Sequence, residues 1–251
     1  MRILLMFLCF MTVGNLHAQK VKQKYLTTFD DKKLHFGFSL GVNTLDFSVV
    51  NYAPIGENKD FMVRNWAGNP IATDTVTADV AGLIPGFTVG MVTDLRLTRN
   101  LDLRFLPGMS FGERKLKFNR EVIDNNFTFS DKQYEYSLKS TFLDFPLLIK
   151  YKALRINNDR PYVVFGGAYR VDISKSASED LVSIKRGNFY AELGAGWDTY
   201  LQFFRFSVEA KVSIGLNDIL GPAPDQTQRQ YYSEAIKSLK SNVFTLVFHF
   251  E

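Results

Sequence analysis

The last residues of the chain carry the pattern that most constrains what it can fold into. In the run 243–251, the even-numbered positions are Phe244, Leu246, Phe248 and Phe250. A period of two places these four side chains on one face of a β-strand. Soluble domains rarely place three phenylalanines on one face of a strand. A strand that faces lipid does so, because the hydrocarbon region offers no water to a polar group. The run therefore predicts a membrane-facing strand.

The same alternation recurs along the chain and defines eight candidate strands. They cover residues 33–43, 85–97, 101–111, 138–152, 161–173, 189–201, 204–217 and 243–250. Most are close to the roughly 9 to 11 residues of a tilted transmembrane strand, and longer than the roughly 5 or 6 of an ordinary strand. Pro146 and Pro161 lack a ladder donor, so we expect them at strand ends or irregular positions.

The connections between these strands alternate in length. Tight turns near Asn100, Asn157 and Gln202 separate four long polar segments. These segments cover residues 44–82, 112–137, 174–187 and 218–241. Outer-membrane barrels have short turns in the periplasm and long loops outside, and an even strand number puts both termini on the turn side. The sequence predicts one all-β domain: an eight-stranded antiparallel transmembrane β-barrel of the outer membrane, with short periplasmic turns, long extracellular loops and periplasmic N- and C-termini.

The first residues are typical of a targeting signal. Arg2 precedes a short apolar run, and Ala18 supplies the small residue of a cleavage site. We therefore expect a signal peptide at residues 1–18 and the barrel domain at 19–251. Cys9, the single cysteine of the chain, falls within the signal, so the mature chain has no thiol for disulfide or nucleophilic chemistry. No run approaches the roughly 18 to 20 apolar residues of a spanning helix.

Charge does not point to a nucleic-acid partner. The net charge is +4 and the pI is about 9.0, with basic residues scattered along the chain. Lys20, Lys22 and Lys24 form the single local cluster. Nucleic-acid binding requires a concentrated basic patch, so the expected surroundings are outer-membrane lipid and other proteins.

The polar face of each strand is expected to line the barrel interior. The candidate interior residues are Lys33, His35, Asn43, Asp94, Arg96, Asp102, Arg104, Asp144, Lys150, Arg170, Asp172, Glu192, Asp198, Arg205, Glu209, Lys211 and His249. Both signs of charge are present in near balance. Because an eight-stranded barrel is only wide enough for its side chains to fill, we expect ion pairs in a plugged lumen. A diffusion pore and a small-molecule substrate are therefore not expected.

The histidines are the first residues to test for catalysis or metal binding. His17 leaves with the signal, His35 lies on the first strand and His249 on the last. These strands are neighbours in a closed barrel, so His35 and His249 are expected as an inward-facing pair at the seam. A metal site needs a third ligand, and Ser39 lies about 13 Å along the strand from His35. We therefore predict no catalytic residue, metal ligand or cofactor. The alternative is a hydrolase or acyltransferase acting on lipid A, with His35 or His249 as base.

Aromatic residues in the long segments are the candidates for partner contacts. They are Tyr52, Trp66, Phe127, Tyr231 and Tyr232. Exposed aromatic side chains favour contact with another protein. Packing of the loops on one another is the competing explanation. A soluble calycin-like barrel that binds a ligand inside would need an apolar lumen, and the charged interior faces argue against it.

Two segments carry a family resemblance. One is Leu34-His35-Phe36-Gly37-Phe38, which follows Asp30-Asp31-Lys32-Lys33 and continues with Leu40-Gly41 and Asn43. The other is Asp144-Phe145-Pro146-Leu147-Leu148-Ile149-Lys150-Tyr151-Lys152, followed by Pro161-Tyr162 and Gly166-Gly167. With these segments the chain resembles the PorT (SprT) family of Bacteroidetes outer-membrane barrels. The resemblance implies a non-enzymatic accessory component of the type IX secretion system, which exports proteins with C-terminal signals and supports gliding in some members. Its partners would be other secretion-system proteins.

The final run also resembles the C-terminal aromatic strand of outer-membrane barrels. Glu251 follows the last aromatic residue, and we expect its charge to fall just outside the lipid belt. As the closing strand, the run is expected to pair with residues 34–42. This pairing would bring His249 towards His35.

Overall fold

The computed structural model describes residues 23–59, 75–124, 127–130, 134–174, 182–222 and 233–251, with the backbone alone for 120–136. The predicted signal peptide lies outside these residues. Within the described residues, all regular structure apart from short helical turns is β-strand. The strands are β1 (Leu34–Asn51), β2 (Thr75–Leu83), β3 (Pro85–Arg96), β4 (Leu101–Phe105), β5 (Gly108–Asp124), β6 (Phe127–Ser130), β7 (Tyr134–Lys152), β8 (Asp159–Asp172), β9 (Gly187–Tyr200), β10 (Arg205–Gly215) and β11 (Ile236–Phe250). Two 3-10 helices cover Phe29–Asp31 and Ile55–Glu57. No helix in the described part of the chain is long and apolar enough to cross a membrane.

The strands form one antiparallel ring. β1 pairs with β11 on one side and with β3 on the other, and the ring continues from β11 through β10, β9, β8 and β7 back to β4 and β3. β2 continues into β3, and β5 continues β4 after an interruption at Leu106 and Pro107. These two pairs therefore each act as one wall strand, and the prediction of an eight-stranded antiparallel barrel is confirmed. Pro146 lies opposite the interruption, where its carbonyl accepts the amide of Leu106 at 3.2 Å.

The closing register differs from the prediction. β11 pairs with β1 from Phe38 opposite Phe250 to Asn51 opposite Ile236, so the predicted pairing with residues 34–42 is confirmed for residues 38–42 and not for 34–37. The first residues of β1 pair with β3 instead, starting at Leu34 opposite Leu95. Barrel closure requires neighbouring strands to be staggered, and this stagger is not visible in the alternation of a single strand.

The two faces of the wall have the polarity of a membrane barrel over its turn-side half. On β1, Phe36 is 62% exposed on the outside, while His35 and Ser39 are buried inside. Other outward apolar side chains are equally open, as at Leu193, which is 66% exposed. A continuous apolar outer surface with charges inside is the reverse of a soluble protein and matches a wall surrounded by lipid.

The strands continue beyond the lipid-facing band, which corrects the predicted loops. β1 runs on to Asn51, β5 runs to Asp124, β7 begins at Tyr134 and β11 begins at Ile236. Most of the segment 112–137 and parts of the segments 44–82 and 218–241 are therefore strand. The polarity reverses there: Leu45 and Phe47 of β1 are buried inside, and Ser48 is exposed outside. Water outside the membrane restores the ordinary alternation, so a search for apolar outer faces ends the strands too early.

An apolar cap closes the loop-side end of the barrel. It consists of the buried residues Phe47, Ala78, Leu116, Phe118, Val182, Ile219, Ile236 and Leu239. Side chains from β1, β2, β5 and β11 meet in it, together with residues of the connections. Arg114 lies directly beneath, with its guanidinium 4.2 Å from the ring centre of Phe47. Apolar packing therefore separates the charged lumen from the loop side.

The wall is incomplete between β1 and β2. Within the described residues, β1 pairs with β3 up to Thr44 and has no ladder to β2. The side-chain amide of Asn51 bridges the two edges. Its Nδ2 donates to the backbone carbonyl of Ala78, and its Oδ1 accepts the backbone N–H of Ala78, both at 3.0 Å. The backbone amides of Phe47 and Val80 each donate to the carboxylate of the residue before them. These edges are satisfied internally, which is how natural sheets avoid edge association.

Candidate functional site: the filled lumen

The lumen holds the largest group of buried charged side chains. Of the predicted interior residues, Lys33 is exposed and Arg96 and Asp172 are half-buried, while the others are buried. The structure thus confirms most of the predicted interior. The charges are grouped into a turn-side cluster and a central cluster, which are described in turn.

Arg104 is the centre of the turn-side cluster. Its Nε lies 2.7 Å from Asp94 Oδ1 and its Nη2 lies 2.8 Å from Asp94 Oδ2, so the contact is bidentate. Its Nη1 donates to Glu209 at 2.8 Å. Lys150 and Asp198 extend the cluster with a 2.9 Å pair. All these side chains have no exposed surface, so each charge depends on its partners.

Glu251 belongs to this cluster and not to the solvent. Its side chain is fully buried and pairs with Arg205 and, at 3.4 Å, with Arg104. The sequence predicts a charge just outside the lipid belt, and the structure adds that this charge is buried inside the lumen. Residue 251 continues the inward parity of Val247 and His249, so its carboxylate enters the lumen at the turn-side mouth.

The central cluster is built around Arg170 and Glu192. Arg170 Nη2 donates to Glu192 at 2.7 Å, and its Nε lies 3.2 Å from Asp144. Lys211 approaches the other oxygen of Glu192 at 2.7 Å. Ser213 also donates to Glu192. Three strands, β8, β9 and β10, supply the large side chains of this cluster.

The facing wall supplies small residues that make room for these side chains. The inward positions of β1, β3 and β5 in this region include Ser39, Thr88, Gly90, Gly108 and Ser110. A cavity of about 30 Å³ remains between the two walls, lined by polar side chains such as Ser39, Asp144 and Lys211 and by apolar ones such as Val89 and Leu106. About 10 to 15 Å³ is enough for one water molecule. The cavity therefore has room for water and none for an organic substrate.

His35 and His249 do not meet across the seam. His249 lies opposite Ser39 in the β1–β11 register, four residues along β1 from His35. His35 Nε2 lies 2.7 Å from the carbonyl oxygen of Phe29 and must donate, because a carbonyl only accepts. The nearest charged partner of His249 is Glu209, with 3.5 Å between His249 Nε2 and Glu209 Oε2.

The register creates a grouping that the sequence reasoning missed. Ser39, His249 and Glu209 are serine, histidine and carboxylate side chains on adjacent wall strands. The sequence of one strand gives the spacing from His35 to Ser39, but it does not show which residues face each other on neighbouring strands. Neither ring nitrogen of His249 has a hydrogen-bond partner among the described residues, and the side chain is fully buried. The three residues are therefore close together but not assembled as a hydrogen-bonded triad.

The buried histidine and carboxylate side chains of the lumen are also the residue types that bind metal ions. Across the described ranges, no group of three His, Cys, Asp or Glu side chains has the arrangement of a metal site. The buried carboxylates contact arginine and lysine instead, as in the Lys152–Asp102 pair at 2.5 Å. The chemistry that this lumen supports is charge pairing and hydration.

The turn-side mouth is closed by the chain that precedes β1. Residues 23–33 lie across it, and the Asp30 carboxylate contacts Tyr200 and Arg160 inside the rim. Arg205, from the turn-side cluster, lies 5.0 Å from the ring centre of Phe29. These contacts cannot be predicted from the local sequence, because the partners of this segment are distant in the chain.

The predicted partner-contact residues are mostly beyond the described part of the chain. Trp66, Tyr231 and Tyr232 lie outside it, and Phe127 lies in β6 with only its backbone described. Tyr52 is half-buried, and its amide donates to the carbonyl of Ala235 at 2.9 Å. Its ring centre is 5.9 Å from Lys237 Nζ. Tyr52 is thus tied to the start of β11.

Comparison with known proteins gives one family match. A family model described as "Outer membrane protein beta-barrel domain" matches residues 17–221. No curated protein matches the sequence.

Three solved structures show low similarity. Outer membrane protein OprG from Pseudomonas aeruginosa has 11% identity and a TM-score of 0.36, over 86% of this chain and 92% of that one. Outer membrane protein AlkL, solved by solid-state NMR in lipid bilayers, has 12% identity and a TM-score of 0.32, over 94% and 93%. A FadL homologue from Pseudomonas aeruginosa has 15% identity and a TM-score of 0.26, over 92% and 65%.

Proposed function

The chain belongs to the outer membrane protein β-barrel domain family, and from that premise we propose that it is a non-enzymatic component of the type IX protein secretion system. In this role it supports the export of proteins with C-terminal signals, and gliding motility where the cell glides. Its location in the outer membrane follows from the family. The secretion role is the further step.

The observation that carries the proposal is the filled lumen. Ion pairs occupy the turn-side and central parts of the barrel, and the apolar cap closes the loop side. A barrel without a conduit acts through its surfaces, namely the lipid-facing wall, the rim and the loops. Binding of neighbouring proteins at these surfaces is the function that suits such a barrel best.

The assignment to this secretion system is supported by the two segments that resemble the PorT family. Residues 34–38 form the start of β1, and residues 144–152 form the turn-side half of β7. Both segments contribute lumen side chains, among them His35, Asp144 and Lys150. The resemblance therefore includes residues of the charged interior as well as lipid-facing ones.

Deletion of the gene in the producing bacterium tests this role. We expect a reporter with a C-terminal export signal to be retained in the cell, and the full chain supplied in trans to restore its export. Sensitivity to detergent and the amount of an unrelated outer-membrane barrel are measured as controls for general membrane damage. Normal export in the deletion strain contradicts the proposal.

We also propose that the short turns and both termini face the periplasm. The turns at residues 97–100 and 201–204 are tight, whereas the connections at the other end are long. In outer-membrane barrels the short connections are periplasmic. Single cysteines at Asn157 and at Glu57, in a Cys9→Ser background, test this on intact cells. Labelling of Glu57→Cys and protection of Asn157→Cys is expected, and the reverse result contradicts the orientation.

The grouping of Ser39, His249 and Glu209 favours one second candidate, a lipid A hydrolase or acyltransferase. Against it, all three side chains point into the lumen and the adjoining cavity is too small for a lipid chain. We therefore propose that the protein has no such activity. Mass spectra of lipid A from cells carrying Ser39→Ala, His249→Gln or His35→Gln should match wild type, and a lost modification would establish the enzyme instead.

A further inference from the structure

The segment that closes the turn-side mouth is held by side chains that are distant from it in the sequence. Residues 23–33, here called the N-terminal strap, lead from the start of β1 to the turn between β7 and β8. In the ring order, β8 stands four wall strands from β1 in either direction, so the strap crosses the full width of the mouth. The residues that contact it come from distant parts of the chain.

The turn between β7 and β8 recognises the backbone of the strap. Asn158 Oδ1 accepts the amide of Tyr25 at 2.9 Å, and Asn158 Nδ2 donates to the carbonyl of Gln23 at 2.8 Å. Arg155 donates to the carbonyl of Tyr25 and, at 3.4 Å, to that of Leu26. Contacts to main-chain groups of this kind bind an extended peptide whatever its side chains.

A carboxylate of the strap is held inside the rim. The Tyr200 hydroxyl lies 2.8 Å from one oxygen of Asp30 and 3.0 Å from the other. Arg160 approaches the same carboxylate at 3.3 Å, and Arg96 donates to the carbonyl of Asp30. Arg160 is itself fixed, because its Nε donates to the carbonyl of Ala153 at 2.7 Å. The acidic position is therefore defined by a prearranged cation and hydroxyl.

An aromatic side chain fills the adjoining position. The Phe29 ring stacks on His35 with centres 4.2 Å apart, and Tyr200 meets it edge-on at 6.1 Å. Arg205 covers the ring from the lumen side at 5.0 Å. His35 also donates to the Phe29 carbonyl. His35 thus contacts both the side chain and the backbone of Phe29.

The strap has little structure of its own beyond the 3-10 helix Phe29–Asp31. Its described backbone bonds within the segment join Phe29 to Leu26, Asp31 to Thr28 and Lys32 to Phe29. Leu26 has a φ of 48°, a conformation that residues with a side chain rarely adopt without support from their surroundings. The barrel therefore imposes the bound conformation on the strap.

We propose that the turn-side mouth is a peptide-binding site for a short segment in which an aromatic residue is followed by an acidic one in a helical turn, as in the 3-10 helix Phe29–Asp31. In this chain the site is occupied by Phe29 and Asp30. A partner segment of the same chemistry binds there when the strap leaves. The proposal does not rest on the secretion role, because it follows from the contacts of the mouth alone.

Peptide binding to the full chain tests the proposal. A Phe29→Ser/Asp30→Asn double variant weakens the strap and leaves the site intact, and the probe is a fluorescent peptide with the sequence of residues 23–33. Anisotropy in detergent should show saturable binding to the variant, and weaker binding by about tenfold or more to wild type, the factor expected for the loss of a charge-assisted hydrogen bond. A peptide carrying the same two replacements is the matched control and should not bind.

A second variant identifies the site. Tyr200→Phe, added to the double variant, should weaken peptide binding by about tenfold, because the hydroxyl to the carboxylate is lost. A folded double variant, verified by heat-modifiable gel mobility, that fails to bind the peptide overturns the proposal. Equal binding of the control peptide overturns it as well.

Release of the strap can also be measured in a protein that keeps Phe29 and Asp30. A fluorophore on Thr27→Cys, in the Cys9→Ser background, reports release of the strap when unlabelled peptide is added in excess. A saturable change in the fluorophore signal is expected. A signal that stays constant up to the solubility limit of the peptide shows that the strap is a permanent part of the fold and overturns the proposal.

Discussion

Arg104 shows how single residues determine the state of the lumen. It contacts Asp94, Glu209 and Glu251 at once, and none of these side chains is exposed. In a low-dielectric interior, removal of one partner leaves uncompensated charges without water. The buried charges of the lumen thus stabilise the barrel only when all of them are present. For this reason each charge is in direct contact with an opposite charge, beyond the near-zero sum of the charges.

The substitution Arg104→Met should destabilise the barrel strongly. We expect a loss of about 3–5 kcal/mol in the free energy of unfolding, the usual effect of breaking a buried ion pair. Urea unfolding in lipid vesicles, followed by tryptophan fluorescence, measures it. Arg99→Met is the matched control, since Arg99 is exposed at the β3–β4 turn and its loss should cost little. Similar stability of the two variants would contradict the role assigned to Arg104.

At the scale of the strand, β1 contains two environments in one element. Its outward residues are apolar from Leu34 to Val42 and change to Thr44, Asp46 and Ser48 beyond that point. Its inward residues change in the opposite sense, from His35 and Ser39 to Leu45 and Phe47. The membrane boundary therefore crosses β1 near Thr44.

Arginine placed on either side of this boundary measures its position. Leu40→Arg lies within the lipid-facing band and should cost about 2–4 kcal/mol of folding free energy, whereas Ser48→Arg lies on the same face beyond it and should cost about 0–1 kcal/mol. Folding of each variant into vesicles, titrated with urea, gives the two values. Equal costs would show that the boundary lies elsewhere on β1.

For the whole molecule, three successive barriers lie along the barrel axis. The N-terminal strap covers the turn-side mouth, the two charge clusters fill the middle, and the apolar cap closes the loop side. Each has a different chemistry: the strap is held by hydrogen bonds and ring contacts, the clusters by ion pairs and the cap by apolar packing. This arrangement separates the protein from barrels of the same strand number that hold a ligand.

Planar bilayer recordings test the sealed state. We expect no discrete conductance steps from the purified barrel at moderate voltage, because the charged side chains are paired across the lumen. A general porin added to the same bilayer serves as the positive control. Stable open-channel steps, present with wild type and absent with denatured protein, would contradict the filled lumen.

The sequence by itself determined the strand number, the lipid-facing surface and the identity of most interior charges. Those properties follow from a period of two imposed by lipid on one side of each strand, and this is a local signal. Only the tertiary structure decided which residues meet. His249 faces Ser39 and not His35, Glu251 reaches Arg104, and Phe29 and Asp30 occupy the mouth. These contacts depend on strand stagger and ring closure, which join residues far apart in the chain, as Ser39 and His249 are, and leave no trace in the alternation.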